Sequence, residues 1–219
     1  MESNVDLAVC LPDDIEGDIL THRLKLRLTR KGDGEATAQA VRESLAELHL
    51  WAPAATRWAD PQWAEWCAWG AWDRSQAQVA YDFMAFHRSD ERRMVARLNM
   101  APVFSGAFCF EITCWRSTAF AGQGFLAESL RALTALAFER LGAERINIRC
   151  DVTDGPTCRA AEAAGLCRGA DAVSDAAPGV TRLYSLDLSR YEAIQNYRIT
   201  PDGQYLLAPP TAGPTSDQP

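Results

Sequence analysis

Ser117-Thr118-Ala119-Phe120-Ala121-Gly122-Gln123-Gly124-Phe125-Leu126-Ala127-Glu128 is the stretch on which the reading of this 219-residue chain turns. Just before it, Phe108 to Trp115 has the make-up of a β-strand. After it, Leu126, Leu130, Leu133, Ala137 and Leu141 recur at helical spacing, so Gly122 to Leu141 reads as an amphipathic helix closed by Gly142. Gly122 and Gly124 allow the backbone to curl without a Cβ clash, so that successive N–H groups converge. Those unpaired amides, with the positive end of the helix dipole, make an anion site suited to a pyrophosphate. A Gly-x-Gly alone specifies little; a strand, then Gly-Gln-Gly, then a long helix specifies more. No Gly-Lys-Ser/Thr follows, and the third glycine of the dinucleotide fingerprint is missing.

The pattern extends outward on both sides. Ile19 to Thr29 alternates, with Leu24, Leu26 and Leu28 to one face and Arg23, Lys25 and Arg27 to the other, which predicts a half-exposed strand. Lys31-Gly32-Asp33-Gly34 is a turn, and from Glu35 the positions Ala38, Val41, Leu45 and Leu48 predict a helix. Asp60 is placed to cap a second helix with Pro61 at its first position. Trp63, Trp66, Trp69 and Trp72 follow at every third residue; they read first as cover for the core and second as an acceptor pocket lining. Gln78 to Arg88 and Arg92 to Met100 are two further strands. Downstream, Arg145 to Asp151 alternates with Ile146, Ile148 and Cys150 inward, Pro156 to Ala164 is a short helix, and Leu166 to Val173 with Thr181 to Leu188 forms a last hairpin. The expected class is α/β of the α+β kind: a mixed, mostly antiparallel sheet of about six to seven strands flanked by about four helices.

Composition bounds the function. Hydrophobic residues make up 47% and charged residues 23%, as in a globular domain, and the net charge is -7. An acidic surface disfavours nucleic acid and anionic membranes and suits an amine-bearing substrate, though it also simply aids solubility. The seven cysteines and three histidines show no zinc spacing, so no metal is expected. The thiols read as small buried hydrophobes in a reducing compartment. No signal peptide or membrane span is legible, and the expected location is cytoplasmic. Residues 1–18 form an acidic, frayed segment, 19–190 the domain, and 191–219 a tail rich in proline and glycine that reads as mobile from Thr200.

At this point a resemblance adds to the reading. Phe110-Glu111-Ile112-Thr113-Cys114-Trp115 followed by Ala121-Gly122-Gln123-Gly124-Phe125-Leu126-Ala127-Glu128-Ser129-Leu130 resembles the GCN5-related N-acetyltransferase (GNAT) family, and within it the RimJ/RimL-type branch. A second match, Asp151 to Leu166, is similar to the family's Asn-x-x-Ser-x-Arg…Glu-Lys-x-Gly-Phe segment. Leu20 to Arg27 and Ser44 to Pro53 resemble the branch's opening strand and first helix. The chain departs from the pattern at Ala119, where the family has an amide or basic residue. It departs also at Asp154 for Asn, Thr157 for Ser, Thr113 for Gly and Cys114 for Tyr.

The resemblance implies acetyl-CoA as cofactor and direct transfer of its acetyl group to a primary amine, on a small molecule or a protein N-terminus. The cofactor-binding candidates are Trp115, Arg116, Ser117, Gly122, Gln123, Gly124, Phe125, Leu126, Ala127, Asp154, Thr157 and Arg159. For catalysis, Glu111 is the candidate base, or a solvent-facing strand carboxylate. Thr157 is the candidate partner of the leaving sulfur, or a support for its helix. Tyr184 is a second candidate acid, or a core tyrosine. A non-catalytic acyl-CoA-binding module, or an enzyme using a larger acyl donor such as succinyl-CoA, stands as the alternative. A homodimer is compatible with the resemblance.

Overall fold

The computed structural model describes residues 15, 17–51, 53–104, 107–173, 180–194, 197–199 and 205–207. The acidic stretch through residue 14 and most of the tail beyond residue 200 lie outside the described residues. In chain order the elements are β1 (Ile19–Leu20), β2 (Leu24–Leu28), α1 (Gly34–Trp51), α2 (Pro61–Gln76), β3 (Tyr81–His87), β4 (Asp90–Phe104) and β5 (Phe108–Arg116). There follow α3 (Phe125–Glu139), β6 (Arg145–Asp151), α4 (Gly155–Ala163), β7 (Cys167–Val173), β8 (Val180–Asp187), α5 (Leu188–Ile194), β9 (Tyr197–Ile199) and β10 (Tyr205–Leu207). Single 3-10 segments, Pro53–Ala59 and Thr118–Phe120, precede α2 and α3.

The main sheet has the order β1-β2-β3-β4-β5-β6-β8-β7, with β9 and β10 forming a separate two-stranded ladder within the stretch read as tail. Every pairing is antiparallel except β5 with β6. Parallel neighbours need a long crossover, and α3 supplies it. The described sheet has eight strands rather than six or seven, because the opening strand is broken at Thr21–Arg23 into β1 and β2. Five α-helices rather than four are described, the extra one being α5 after the hairpin.

Strand alternation assigns the two faces. Phe83, Ala85, Leu98, Phe110 and Ile112 pack with Leu130, Leu133 and Ala137 of α3 and with Cys158 and Ala161 of α4. Met84, Phe86 and Met94 pack with Ala40 of α1 on the other face, with Trp115 against them. Helix α3 is buried nearly all round, not on one stripe, because α4 and β10 also pack on it. The tryptophans of α2 are not its core face: Ala64, Ala68, Ala71 and Ser75 are buried, whereas Trp66 is 66% and Trp69 49% exposed. A step of three residues turns the helix by about 300°, so four such tryptophans fan around half the circumference. Ala64, Ala68, Ala71 and Ser75, at steps of four, three and four, hold one face.

The break between β1 and β2 has a definite cause. Glu128, 4% exposed in the first turn of α3, accepts from the Thr21 hydroxyl at 2.5 Å, the Arg23 amide at 3.0 Å and the Arg23 Nε at 2.7 Å. Arg23 Nη2 lies 2.7 Å from the same carboxylate. Thr21 turns its hydroxyl to this carboxylate and accepts the Leu24 amide, which ends the ladder there.

Replacing Glu128 by Gln leaves Arg23 half-paired, and should lower stability by about 3 kcal/mol, or roughly 6–12 °C in Tm for a chain of this size. Burial alone would raise this carboxyl, but the bonds from Thr21 and Arg23 outweigh it and hold the group below its ordinary 4.5. A carboxyl lowered in the folded state gives stability that is complete above the ordinary value and is lost as pH falls through the lowered one. Thermal melts below about pH 4.5 should therefore fall more steeply for the wild type than for Glu128→Gln. Parallel melting curves would remove Glu128 from this role.

Candidate active site

β5 and β6 are paired from Cys109–Arg145 to Ile112–Ile148 and then diverge. Past that point Thr113 to Arg116 and Arg149 to Asp151 line opposite sides of a cavity of about 350 Å³. Its other walls come from Glu47 and Leu48 of α1, Trp58 of the first 3-10 segment, Asp82, Arg97 and Asn99 of β3 and β4, and Asp154 and Thr157 at the start of α4. Since α1 covers one face of the sheet and α4 the other, the cavity runs through the gap between the strands. A strand that has lost a neighbour keeps backbone N–H groups facing the gap. The register puts Trp115 opposite Arg97 and Thr113 opposite Asn99, so these four share the rim on the α1 face.

The turn that leads into α3 is anchored from two directions. The Thr118 amide bonds the Ser44 hydroxyl at 3.0 Å, and its own hydroxyl donates to the Glu43 carbonyl at 2.7 Å, tying the turn to α1. From the other side Arg23 donates to the Gln123 carbonyl at 2.9 Å and lies 4.4 Å over the Phe125 ring. Gly122 and Gly124 both have left-handed backbone, φ +73° and +76°. The first helical bond of α3 runs from the Glu128 amide to the Gly124 carbonyl, 3.1 Å. The amides of Phe125, Leu126 and Ala127 therefore precede any intrahelical acceptor. Ala121 through Gly124 are exposed. These residues fit a diphosphate: bare amides, a helix N-terminus, and the Arg23 charge beside them.

The structure brings Trp115, Arg116, Asp154 and Thr157 together on the cavity wall. Asp154 caps α4 by accepting the Thr157 amide at 3.1 Å, which fixes the Thr157 side chain at the cavity. Glu111 stands one residue before the splay and pairs with Arg149 at 3.2 Å; Arg149, not Glu111, lines the cavity. Tyr184 is fully buried, donates to Glu162 at 3.0 Å, and burial pushes its hydroxyl up to about 12. Ser117 is buried beneath the turn, its amide bonded to the Val95 carbonyl at 2.9 Å, and Arg159 is exposed on α4. Two cavity thiols, Cys114 and Cys150, are also held protonated: burial pushes Cys114 up to about 12, and Cys150 is raised for the same first reason.

Several functional residues carry no sequence signal. Arg23 and Glu128 both fall in the quoted motifs, yet nothing in their spacing links them. Arg97 sits in a charged strand that looks solvent-facing, and is 3% exposed. Trp58 is one of six tryptophans between residues 51 and 72, and only the fold singles it out.

A family model for the acetyltransferase (GNAT) domain matches residues 23–166. No curated protein matches the chain. Among solved structures, a candidate ribosomal-protein-serine acetyltransferase from Vibrio cholerae is similar at 26% identity and a TM-score of 0.67, over 81% of this chain and 99% of that one. RimL, the ribosomal L7/L12 alpha-N-protein acetyltransferase in complex with coenzyme A, is 18% identical with a TM-score of 0.68, over 80% and 99%. Ribosomal-protein-S5-alanine acetyltransferase from Vibrio fischeri is 13% identical with a TM-score of 0.67, over 78% and 96%. Identities this low make the last two a likeness of fold. With the residue 23–166 match, the splayed parallel pair and the glycine turn on α3, the chain belongs to the GNAT family of acetyl-CoA-dependent N-acetyltransferases.

Proposed function

We propose that this enzyme acetylates a primary amine, on a small molecule or a protein N-terminus, by direct transfer inside the cavity between β5 and β6. The observation that carries the reading is the gap itself: free strand edge, Thr157 and the carboxylates of Asp151 and Asp154 converge there. Bound acetyl-CoA would supply an activated thioester. The amides of Phe125, Leu126 and Ala127 would hold its diphosphate, and Arg23 adds a positive charge at the same turn. Backbone N–H groups of the unpaired part of β5 are placed to bond the carbonyl oxygen as it gains charge. Thr157 lines the cavity, its amide bonded to Asp154, and its hydroxyl is the group that would hydrogen-bond the departing sulfur.

Direct transfer is favoured by the thiols. An acyl-cysteine route needs a thiolate, and Cys114 and Cys150 are held protonated. The amine must lose a proton before attack. Glu111 is the carboxylate at the root of the splay, and its ion pair with Arg149 connects it to the cavity wall; we assign it as base, acting through an intervening water. Tyr184 is turned toward Glu162, so Thr157 is preferred to it as the group at the sulfur. Among the described residues no helix is long and apolar enough to cross a membrane. Six free cysteines among them support a reducing compartment, in keeping with a cytoplasmic location.

Isothermal titration should show acetyl-CoA binding in the micromolar range or tighter, and an amine panel should release free thiol from it; no heat at high micromolar ligand would sink the donor assignment. An alanine at Gly124 strains a backbone at φ +76° by about 1–2 kcal/mol. Gly124→Ala should therefore raise the Kd for acetyl-CoA by roughly 5–30-fold, with kcat for the saturated enzyme less affected. Unchanged affinity would place the diphosphate elsewhere. Glu111→Gln should cut kcat/KM by about 10²-fold or more and flatten its pH dependence; full turnover at all pH values would remove Glu111 as base.

A further inference from the structure

We propose that the acetyl acceptor is a primary amine that also carries a carboxylate, held by Arg97 and Arg116 at the α1 end of the cavity. This rests on the acetyltransferase reading and names its acceptor class. Arg97 extends from β4 into the cavity wall, and its side chain is 4% exposed. Among the described residues neither Nη1 nor Nη2 of Arg97 has a hydrogen-bond partner, and Nη1 of Arg116, on the same wall, has none either. Buried guanidinium donors without partners cost far more than paired ones.

The nearby carboxylates do not satisfy them. Asp82 lies 3.5 Å from Arg97 Nη2 but gives its close contact, 2.8 Å, to Arg74. Glu47 is 3.3 Å from Arg116 Nη2. Of the charges lining this end, Arg97 and Arg116 face Asp82 and Glu47, and Asp82 is shared with Arg74, which lies outside the cavity; the guanidinium donors left without partners can take a further carboxylate. Burial also pulls Arg97 below an ordinary arginine, and the opposing pull of Asp82 does not cancel it.

The geometry selects a planar anion. The Trp58 ring covers one face of the Arg97 guanidinium at 4.3 Å. A guanidinium stacked on its face keeps its edge N–H groups for a carboxylate fork. The Nη atoms are themselves out of contact with solvent, so a carboxylate reaches them by displacing part of the cavity wall. At the other end Asp151 and Asp154 line the cavity, with bonds to neutral groups, Thr153 and the Thr157 amide. A carboxylate held at the first end leaves the amine of the same molecule in the transfer gap, facing these acids.

The test uses the full chain, acetyl-CoA and amines in pairs that differ only as acid and carboxamide. One arm holds free amino acids and their amides; the other holds short peptides opening with Asp or Glu against Asn or Gln. The acid member should be preferred by at least about tenfold in kcat/KM, and the arm that responds tells a free amino acid from a peptide. Arg97→Met should abolish the preference while acetyl-CoA binding is retained, and Arg97→Lys should restore part of it. Equal rates for acid and amide, or a preference that survives Arg97→Met, overturns the proposal. If no amine releases thiol, the acetyltransferase reading fails by itself. The subsite is then decided by titrating acid and amide forms into the protein with coenzyme A present: acid-selective binding lost in Arg97→Met supports it, and equal binding overturns it. If Arg97→Met does not fold, acid against amide on the unaltered protein, with Arg97→Lys beside it, decides the matter in the same way.

Discussion

The short parallel pairing of β5 with β6 is the constraint on which the site depends. Two parallel strands can be joined only by a long crossover, so α3 must start at the end of β5 and return over the sheet. That requirement places the glycine turn and the helix N-terminus beside the strand ends. The pairing runs for four residue pairs, Cys109–Arg145 to Ile112–Ile148. Beyond it the sheet no longer satisfies its own backbone groups, and a ligand can.

The Thr21–Arg23–Glu128 cluster makes that geometry rigid. It joins the sheet edge to the first turn of α3, while Ser44 and Thr118 join the same turn to α1. The buried carboxylate is paired and hydrogen-bonded on both oxygens, the condition under which a buried charge is tolerated. A preformed turn loses little entropy on binding a diphosphate. Arg23 therefore serves structure and electrostatics together.

Much of this was legible in the chain. Alternation placed β2 and β6, and the Leu126–Leu130–Leu133 stripe with Gly142 bounded α3, because burial imposes those periods directly; β5 was read from its strand-forming residues. Asp60 was legible as a cap, since a cap is a local bond. The failures share one physical origin: they concern contacts between distant segments. Nothing in Leu20 to Arg27 says that Thr21 will turn away to a carboxylate 107 residues later. The strand holding Arg97 looks exposed, because its burial comes from the segment around Trp58 folding across it. The tryptophans of α2 misled because large aromatics usually mark a core, whereas here the alanine face was the true signal. Of the proposed site, the donor half rests on the Gly122–Gly124 turn, which the chain itself displays; the proposed acceptor half is assembled from β3, β4 and α1, where no motif runs.

That the cavity passes through the sheet has a consequence for kinetic order. Walls from α1 and Trp58 stand at one mouth, and Asp154 and Thr157 of α4 at the other. A chamber with two doors does not require the first guest to leave before the second enters. Under the proposed direct transfer both substrates would occupy the protein together, which corresponds to a sequential scheme with intersecting double-reciprocal lines. Each product can depart by the side on which its parent arrived.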